Sequence, residues 1–179
     1  MHSDVERILI SEEEVSSLID KIANKINSDL NGEPLLVVGI LKGSTPFAMD
    51  LIKKLDMPVE IDFMQASSYG KSTASSGFIN IKKDVDCDIT GKNILIVEDI
   101  IDSGNTLNKI KELFRHRDAK SVRICTLLDK PSRRIVDVKV DYVGAEIPDE
   151  FVVGYGLDYN EKYRNLPYIG VLKRSVYEN

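Results

Sequence analysis

The chain has 179 residues, 42% of them hydrophobic and 30% charged, and 24 basic side chains against 29 acidic ones give a net charge of −5. That length suits one domain with a substantial core, and without a basic excess nucleic acid is not the expected partner. The longest apolar run, LLVVGIL at 35–41, is far too short to cross a membrane, and Cys87 and Cys125 are too few and too far apart for a disulfide framework or a zinc site.

The first ten residues, MHSDVERILI, lack a positive segment followed by a long apolar core, so no secretory signal is expected and a cytoplasmic chain is. Ser11 with Glu14 three residues later makes a capping box, and Val15, Leu18, Ile19, Ile22 and Ile26 follow at helical spacing until Asn31-Gly32. Residues 35–41 read as a strand buried on both faces. After the turn at 42–46, Pro46 suits a first helical position, and Phe47, Leu51 and Leu55 recur every four residues. Val59, Ile61 and Phe63 alternate with acids, as in a strand with one polar face. The stretch SSYGKSTASSG at 67–77 is small and polar, the composition of a mobile loop.

A strand resumes at 78–81, and a second doubly buried strand is expected at 94–97. Leu107, Ile110, Leu113 and Phe114 share one face of a helix at 105–114. Further strands are expected at 122–128, 138–143 and 168–172. Alternating strands and helices predict an α/β fold with a mostly parallel central sheet flanked by helices.

Ligands of open α/β sheets bind beyond the carboxyl ends of the strands. Three such ends lead into polar loops: Lys42-Gly43-Ser44, the stretch from Glu98 to Thr106, and Asp129-Lys130. Between Asp102 and Thr106 lie successive amides, two hydroxyls and a glycine just before a helix, an arrangement that cradles phosphate. It is not a Walker loop. Glu98 and Asp99 stand at the strand end, where they are expected to point to opposite faces or splay and so need not meet the same phosphate, and they suit a sugar diol or Mg²⁺. A ribose 5-phosphate would satisfy the whole stretch. Asp102 could also simply cap the helix.

The segment VEDIIDSGNTL at 97–107 resembles the phosphoribosyl pyrophosphate-binding motif of the type I phosphoribosyltransferases. LKGS at 41–44, SSYG at 67–70, LLDK at 127–130 and PDEFVVGYGLDYNEKYRNLPYIGVL at 148–172 resemble, in order, segments of the hypoxanthine-guanine branch in its bacterial form. The resemblance spans positions 8–172. It implies the type I phosphoribosyltransferase fold as one domain, with a small hood from roughly 1–10 and 145–179. It also implies transfer of the 5-phosphoribosyl group to N9 of hypoxanthine or guanine in purine salvage, with a homodimer or homotetramer as the assembly.

The resemblance further implies a role for each residue of these segments. Asp102 is the general base and acid at purine N7. Glu98 and Asp99 hold the ribose hydroxyls and help place Mg²⁺, and Ser103, Gly104, Asn105 and Thr106 hold the 5′-phosphate. Lys130 donates to purine O6, Phe151 stacks on the purine, and Val152 meets it through its backbone. Asp158 reaches a second Mg²⁺ and, through its backbone, the C2 edge. Arg164 and the amides of Lys42 and Gly43 bind pyrophosphate, with a cis peptide between Leu41 and Lys42. Ser68 and Tyr69 begin a loop that closes over the site. Arg133 and Arg134 are expected to assist phosphate or subunit contacts. Three other readings stay open: a regulatory relative that binds nucleic acid, against which the net acidity and Asp102 argue; a transferase for another base, of which xanthine is hardest to exclude; and a structural or partner-binding protein with a vestigial site, against which the match of every loop in order argues.

Overall fold

Two sheets divide the work of the chain. The computed structural model describes residues 1–68 and 79–178; Ser67 and Ser68, expected to begin the loop, are strand residues paired with Asn80 and Ile79, while the expectations for Tyr69, for the Ser68 side chain and for residues 70–77 lie outside the described residues, as does Phe78. The larger sheet runs β4 (Ile79–Lys83), β3 (Val59–Ser68), β2 (Leu35–Ile40), β5 (Asn93–Ile101), β6 (Ser121–Asp129) and β7 (Tyr142–Glu146) in spatial order. All neighbours are parallel except the antiparallel pair β3 and β4. The smaller sheet joins the ends of the chain: β1 (Val5–Ile10), β9 (Ile169–Leu172) and β8 (Val152–Val153), all antiparallel.

Helices cover both faces of the larger sheet, which is why its central strands carry no polar alternation. On one face, α1 (Glu12–Leu30) and α2 (Thr45–Ile52) pack on Leu35, Val37, Leu95 and Val97. On the other, α3 (Asn105–His116) packs Leu107, Ile110 and Phe114 on Leu36, Val38, Ile94 and Ile96. Each such fully buried aliphatic side chain contributes roughly 1.5–3 kcal/mol relative to exposure. The expected capping box of α1 is formed: Ser11 Oγ accepts from the Glu14 amide at 3.2 Å, and the Glu14 carboxylate accepts from the Ser11 amide at 2.7 Å. A short helix, α4 (Arg174–Tyr177), ends the described chain.

Three expectations need correction. β5 does not stop at Val97. Its ladder with β6 continues, with Glu98 opposite Thr126, Ile100 opposite Leu128 and Ile101 opposite Asp129, so the acidic pair lies within the strand. The strand expected at 138–143 begins instead at Tyr142, because the preceding residues serve another purpose. Val138 is buried in the core under α3, and Asp141 anchors the start of β7 by accepting from the Ile124 amide at 2.9 Å. Neither β1 nor β8 was expected. β8 has two residues, and β1 pairs through register shifts that blur any alternation.

Candidate active site

The parallel strands β2, β5 and β6 end on one rim, where two adjoining hollows open. The larger, about 480 Å³, is lined by the 40–43 turn, residues 98–104, Thr106, Leu107, Asp158 and Arg164. The smaller, about 290 Å³, is lined by Lys130, Arg133, Phe151, Val152 and Leu157. Asp99, Ile100, Asp102 and Asp158 line both and form the divide between them.

The larger hollow is built from free amides. Gly104 is the N-cap residue of α3 at φ +80° and, being glycine, makes no side-chain capping bond. Asp102 therefore does not serve as the helix cap that its position allowed. The N–H groups of Ser103, Gly104, Thr106 and Leu107 find no acceptor among the described residues, and all four residues line the hollow. Across from them, the N–H groups of Lys42 and Gly43 are likewise free among the described residues. The peptide between Leu41 and Lys42 is cis. Unpaired backbone donors at a helix N-terminus attract anions. Asn105 is the exception within this loop. It does not line the hollow, and both its amide and its Nδ2 turn toward Ser103 Oγ, at 3.4 and 3.3 Å.

Glu98 and Asp99, expected to diverge, both line the larger hollow, and the Asp99 amide donates to Glu98 Oε1 at 3.3 Å. Burial pushes the Glu98 carboxyl well above its usual range, and the neighbouring Asp99 charge pushes it further. Burial also raises Asp99, against the Ile100 amide that donates to it at 2.8 Å and the nearby Arg164 charge. Two partly buried acids that resist ionisation side by side have strong use for a cation. The Asp102 carboxylate makes no hydrogen bond or ion pair among the described residues, and its Oδ1 is buried without a partner.

Arg164 reaches the larger hollow from the 154–166 loop. It donates to the Gly156 carbonyl at 2.7 Å and pairs with Asp158 at 2.8 Å, leaving its buried Nε unpartnered. Asp158 also accepts from the Glu161 amide at 2.8 Å. The Lys42 ammonium turns to Glu161 at 3.0 Å, so this lysine offers the cleft its backbone. Gly156, at φ +96°, presses on the turn after β2: a Cβ there would fall 1.9 Å from the Gly43 carbonyl oxygen.

The smaller hollow has a cation at its base and a ring on its wall. Lys130 is only 7% exposed, not the surface lysine its type suggests. Its amide donates to the Ile101 carbonyl at 3.0 Å, and its ammonium stands 4.0 Å from Asp149, which Arg133 Nε already holds at 2.8 Å. Phe151 is 38% exposed, stacks on Tyr177 with centroids 4.9 Å apart, and meets Tyr159 edge-on at 5.5 Å. Tyr177 does not line the hollow, so it backs the ring from outside. Val152 is buried, paired with Val171 across β8 and β9.

Sequence reasoning missed Gly156 and misplaced Arg134. The Arg134 side chain is internal: it pairs with the Asp129 carboxylate and donates to the Asp102 carbonyl at 2.9 Å. The signal for Gly156 was present as a glycine pair, at 154 and 156, within GYG.

A family model described as a phosphoribosyl transferase domain matches residues 6–160. Hypoxanthine-guanine phosphoribosyltransferase of Bacillus subtilis (strain 168) is 56% identical over 179 residues, all of this chain and 99% of that protein. The protein of the same description from Streptococcus pneumoniae (strain ATCC BAA-255 / R6) is 52% identical, again over all of this chain and 99% of that protein. Among solved structures, a crystal structure of a hypoxanthine phosphoribosyltransferase from Staphylococcus aureus, in a tetragonal space group, superposes with a TM-score of 0.95. It is 51% identical, and the match covers 100% of this chain and 97% of that one.

Proposed function

The chain belongs to the phosphoribosyl transferase family, and on that premise we propose that it moves the 5-phosphoribosyl group of phosphoribosyl pyrophosphate to N9 of hypoxanthine or guanine, releasing pyrophosphate. It is a pentosyl-transferring enzyme of purine salvage. The observation that carries this reading is the pair of hollows meeting at Asp99, Ile100, Asp102 and Asp158. One offers free amides to phosphates, the other a buried ammonium and an aromatic wall to a base, and the sugar would sit between.

In this reading the amides of Ser103, Gly104, Thr106 and Leu107 take the 5′-phosphate, with the Asn105 side chain a bystander. Lys42 and Gly43 offer their amides to pyrophosphate, and Arg164 Nε supplies a further donor. Asp102, whose carboxylate has no competing partner, takes the N7 proton. Lys130 donates to O6, Phe151 stacks on the base, and the 152 backbone and Asp158 lie along its remaining edge. The β1-β9-β8 sheet and the loops around it act as the hood over the base.

The acids of the cleft fit a divalent cation, since Glu98, Asp99 and Asp158 line the same hollow and offer it carboxylate oxygens. Among the described residues no three His, Cys, Asp or Glu side chains are placed to hold a metal ion by themselves, so Mg²⁺ would take its remaining ligands from the substrate and water. Bound there, Mg²⁺ would neutralise charge on the departing pyrophosphate. The working form is a homodimer or homotetramer in the cytoplasm. Among the described residues, no helix is long and apolar enough to cross a membrane.

The direct test is a spectrophotometric assay with phosphoribosyl pyrophosphate, Mg²⁺ and one base at a time. Turnover of hypoxanthine or guanine, abolished by EDTA, is expected. Turnover of xanthine alone would overturn the substrate assignment, and no turnover with any base, adenine included, would overturn the activity.

A further inference from the structure

We infer that Arg134 is a positioning residue that holds the Asp102 carboxylate in register with Lys130, an inference that rests on the roles proposed for those two residues. The Asp102 carboxylate has no hydrogen-bond partner among the described residues. A side chain held by nothing at its tip takes its place from its backbone, and one segment anchors that backbone. Arg134 Nη1 donates to the Asp102 carbonyl at 2.9 Å, and the amides of Ile135 and Val136 both donate to the Ser103 carbonyl at 3.0 Å. The following residue is braced as well: a Cβ on Gly104 would fall 2.7 Å from Val138 Cγ1 and 3.2 Å from Arg134 Cδ.

The same guanidinium reaches a second strand end. Its Nη2 pairs with the carboxylate of Asp129, the residue before Lys130, and the two side chains are only 19% and 12% exposed. Lys130 in turn donates its amide to Ile101, the residue before Asp102. The ends of β5 and β6 are thus tied in a closed circuit: Asp102 to Arg134 to Asp129, and Lys130 back to Ile101. A planar fork can serve a carboxylate and a carbonyl at once, whereas an ammonium on a flexible stem cannot hold both in fixed geometry. The span between the ammonium that would read O6 and the carboxylate that would take the N7 proton depends on that fork. Misplacement of a reacting group by about 1 Å can cost on the order of 100-fold in rate.

The test compares Arg134→Lys, Asp129→Asn and Asp102→Asn with the native enzyme, measuring kcat, both KM values and thermal melting. Arg134→Lys keeps a charge for Asp129 and loses the bond to the Asp102 carbonyl. With melting well above the assay temperature, its kcat is expected to fall by on the order of tenfold or more, while KM for phosphoribosyl pyrophosphate moves less than about threefold. Asp129→Asn should fall between it and the native enzyme. Arg134→Ala, where it folds, should regain part of its rate from millimolar guanidinium, which a purely structural role would not allow. Native kcat in Arg134→Lys beside a crippled Asp102→Asn would overturn the inference and leave the base role standing. Native kcat in Asp102→Asn would overturn both.

Discussion

The Asp99 carboxylate lies where a side chain at position 43 would be: a Cβ built on Gly43 would fall 1.7 Å from Asp99 Oδ2 and 2.7 Å from its Cγ. Gly43 is thus a cleft residue through the atom it lacks. Its carbonyl meets Gly156 on the other side, so the turn after β2 cannot simply retreat. Gly43→Ala is expected to displace Asp99, raising both KM for phosphoribosyl pyrophosphate and the Mg²⁺ needed for half-maximal rate by on the order of tenfold or more. Initial rates over a grid of both concentrations measure this. Values within twofold of native would mean that Asp99 has room to move and that the contact has no bearing on binding.

Glu98 shows a cost that the cleft imposes on the fold. Burial and the Asp99 charge disfavour its ionised form and raise its pKa above that of the unfolded chain, so in the metal-free protein Glu98 costs stability once the pH rises above the unfolded value. Glu98→Gln keeps the shape and removes that conflict. The variant is expected to melt higher than the native protein in EDTA at pH 7, by roughly 2–4 °C per kcal/mol recovered, while losing affinity for phosphoribosyl pyrophosphate with Mg²⁺. Active sites commonly trade stability for function in this way. A lower melting temperature in EDTA would show that the Glu98 carboxylate stabilises the empty protein.

How far such features could be read in advance depended on their range. The α1 capping box and the first doubly buried strand are local, and they formed where the pattern put them, whereas β5 ran on past Val97 through the acidic pair. The 98–106 stretch is also local, and most of its residues line the cleft. Arg134 and Gly156 act only through partners brought near by folding, 32 residues away for the Asp102 carbonyl and further still for Gly43. No periodicity records such a contact. The true start of β7 was hidden for the same reason: Val138 looks like a strand residue, and only the finished fold shows its preceding segment bonded to Ser103.

Away from the cleft, Asp62 holds the approach to β5. Its carboxylate accepts from the amides of Phe63 at 2.7 Å, Asp86 at 2.7 Å and Cys87 at 3.3 Å, and it pairs with Lys83. Burial alone would raise its pKa; the three amides and the Lys83 charge outweigh burial and hold it below the usual range. A depressed carboxyl pKa contributes stability that is present above the unfolded value of about 3.9 and is lost as pH falls through the folded one. Asp62→Asn should therefore cost roughly 1–3 kcal/mol at pH 7. That difference should shrink as the pH drops below about 4. Urea titrations of both proteins at several pH values decide it, and a gap that persists undiminished at pH 3 would rule out the ionised carboxylate as its source.

Lys130 has donors to spare. Its nearest anion, Asp149, stands at 4.0 Å and is already engaged by Arg133. An ammonium donates and cannot accept, so in this enclosed place it favours a 6-oxo group and gains nothing from the 6-amino group of adenine. Lys130→Ala should lower kcat/KM for hypoxanthine by on the order of 100-fold. The amides that face the other hollow are untouched, so KM for phosphoribosyl pyrophosphate should change only about twofold. Adenine, which has no acceptor at that position, should be used no worse by the variant than by the native enzyme. Steady-state kinetics with each substrate varied at saturation of the other separates the two effects. An equal loss for both substrates would mean that Lys130 supports the rim as a whole, and the division between a base-reading and a phosphate-holding hollow would fall with it.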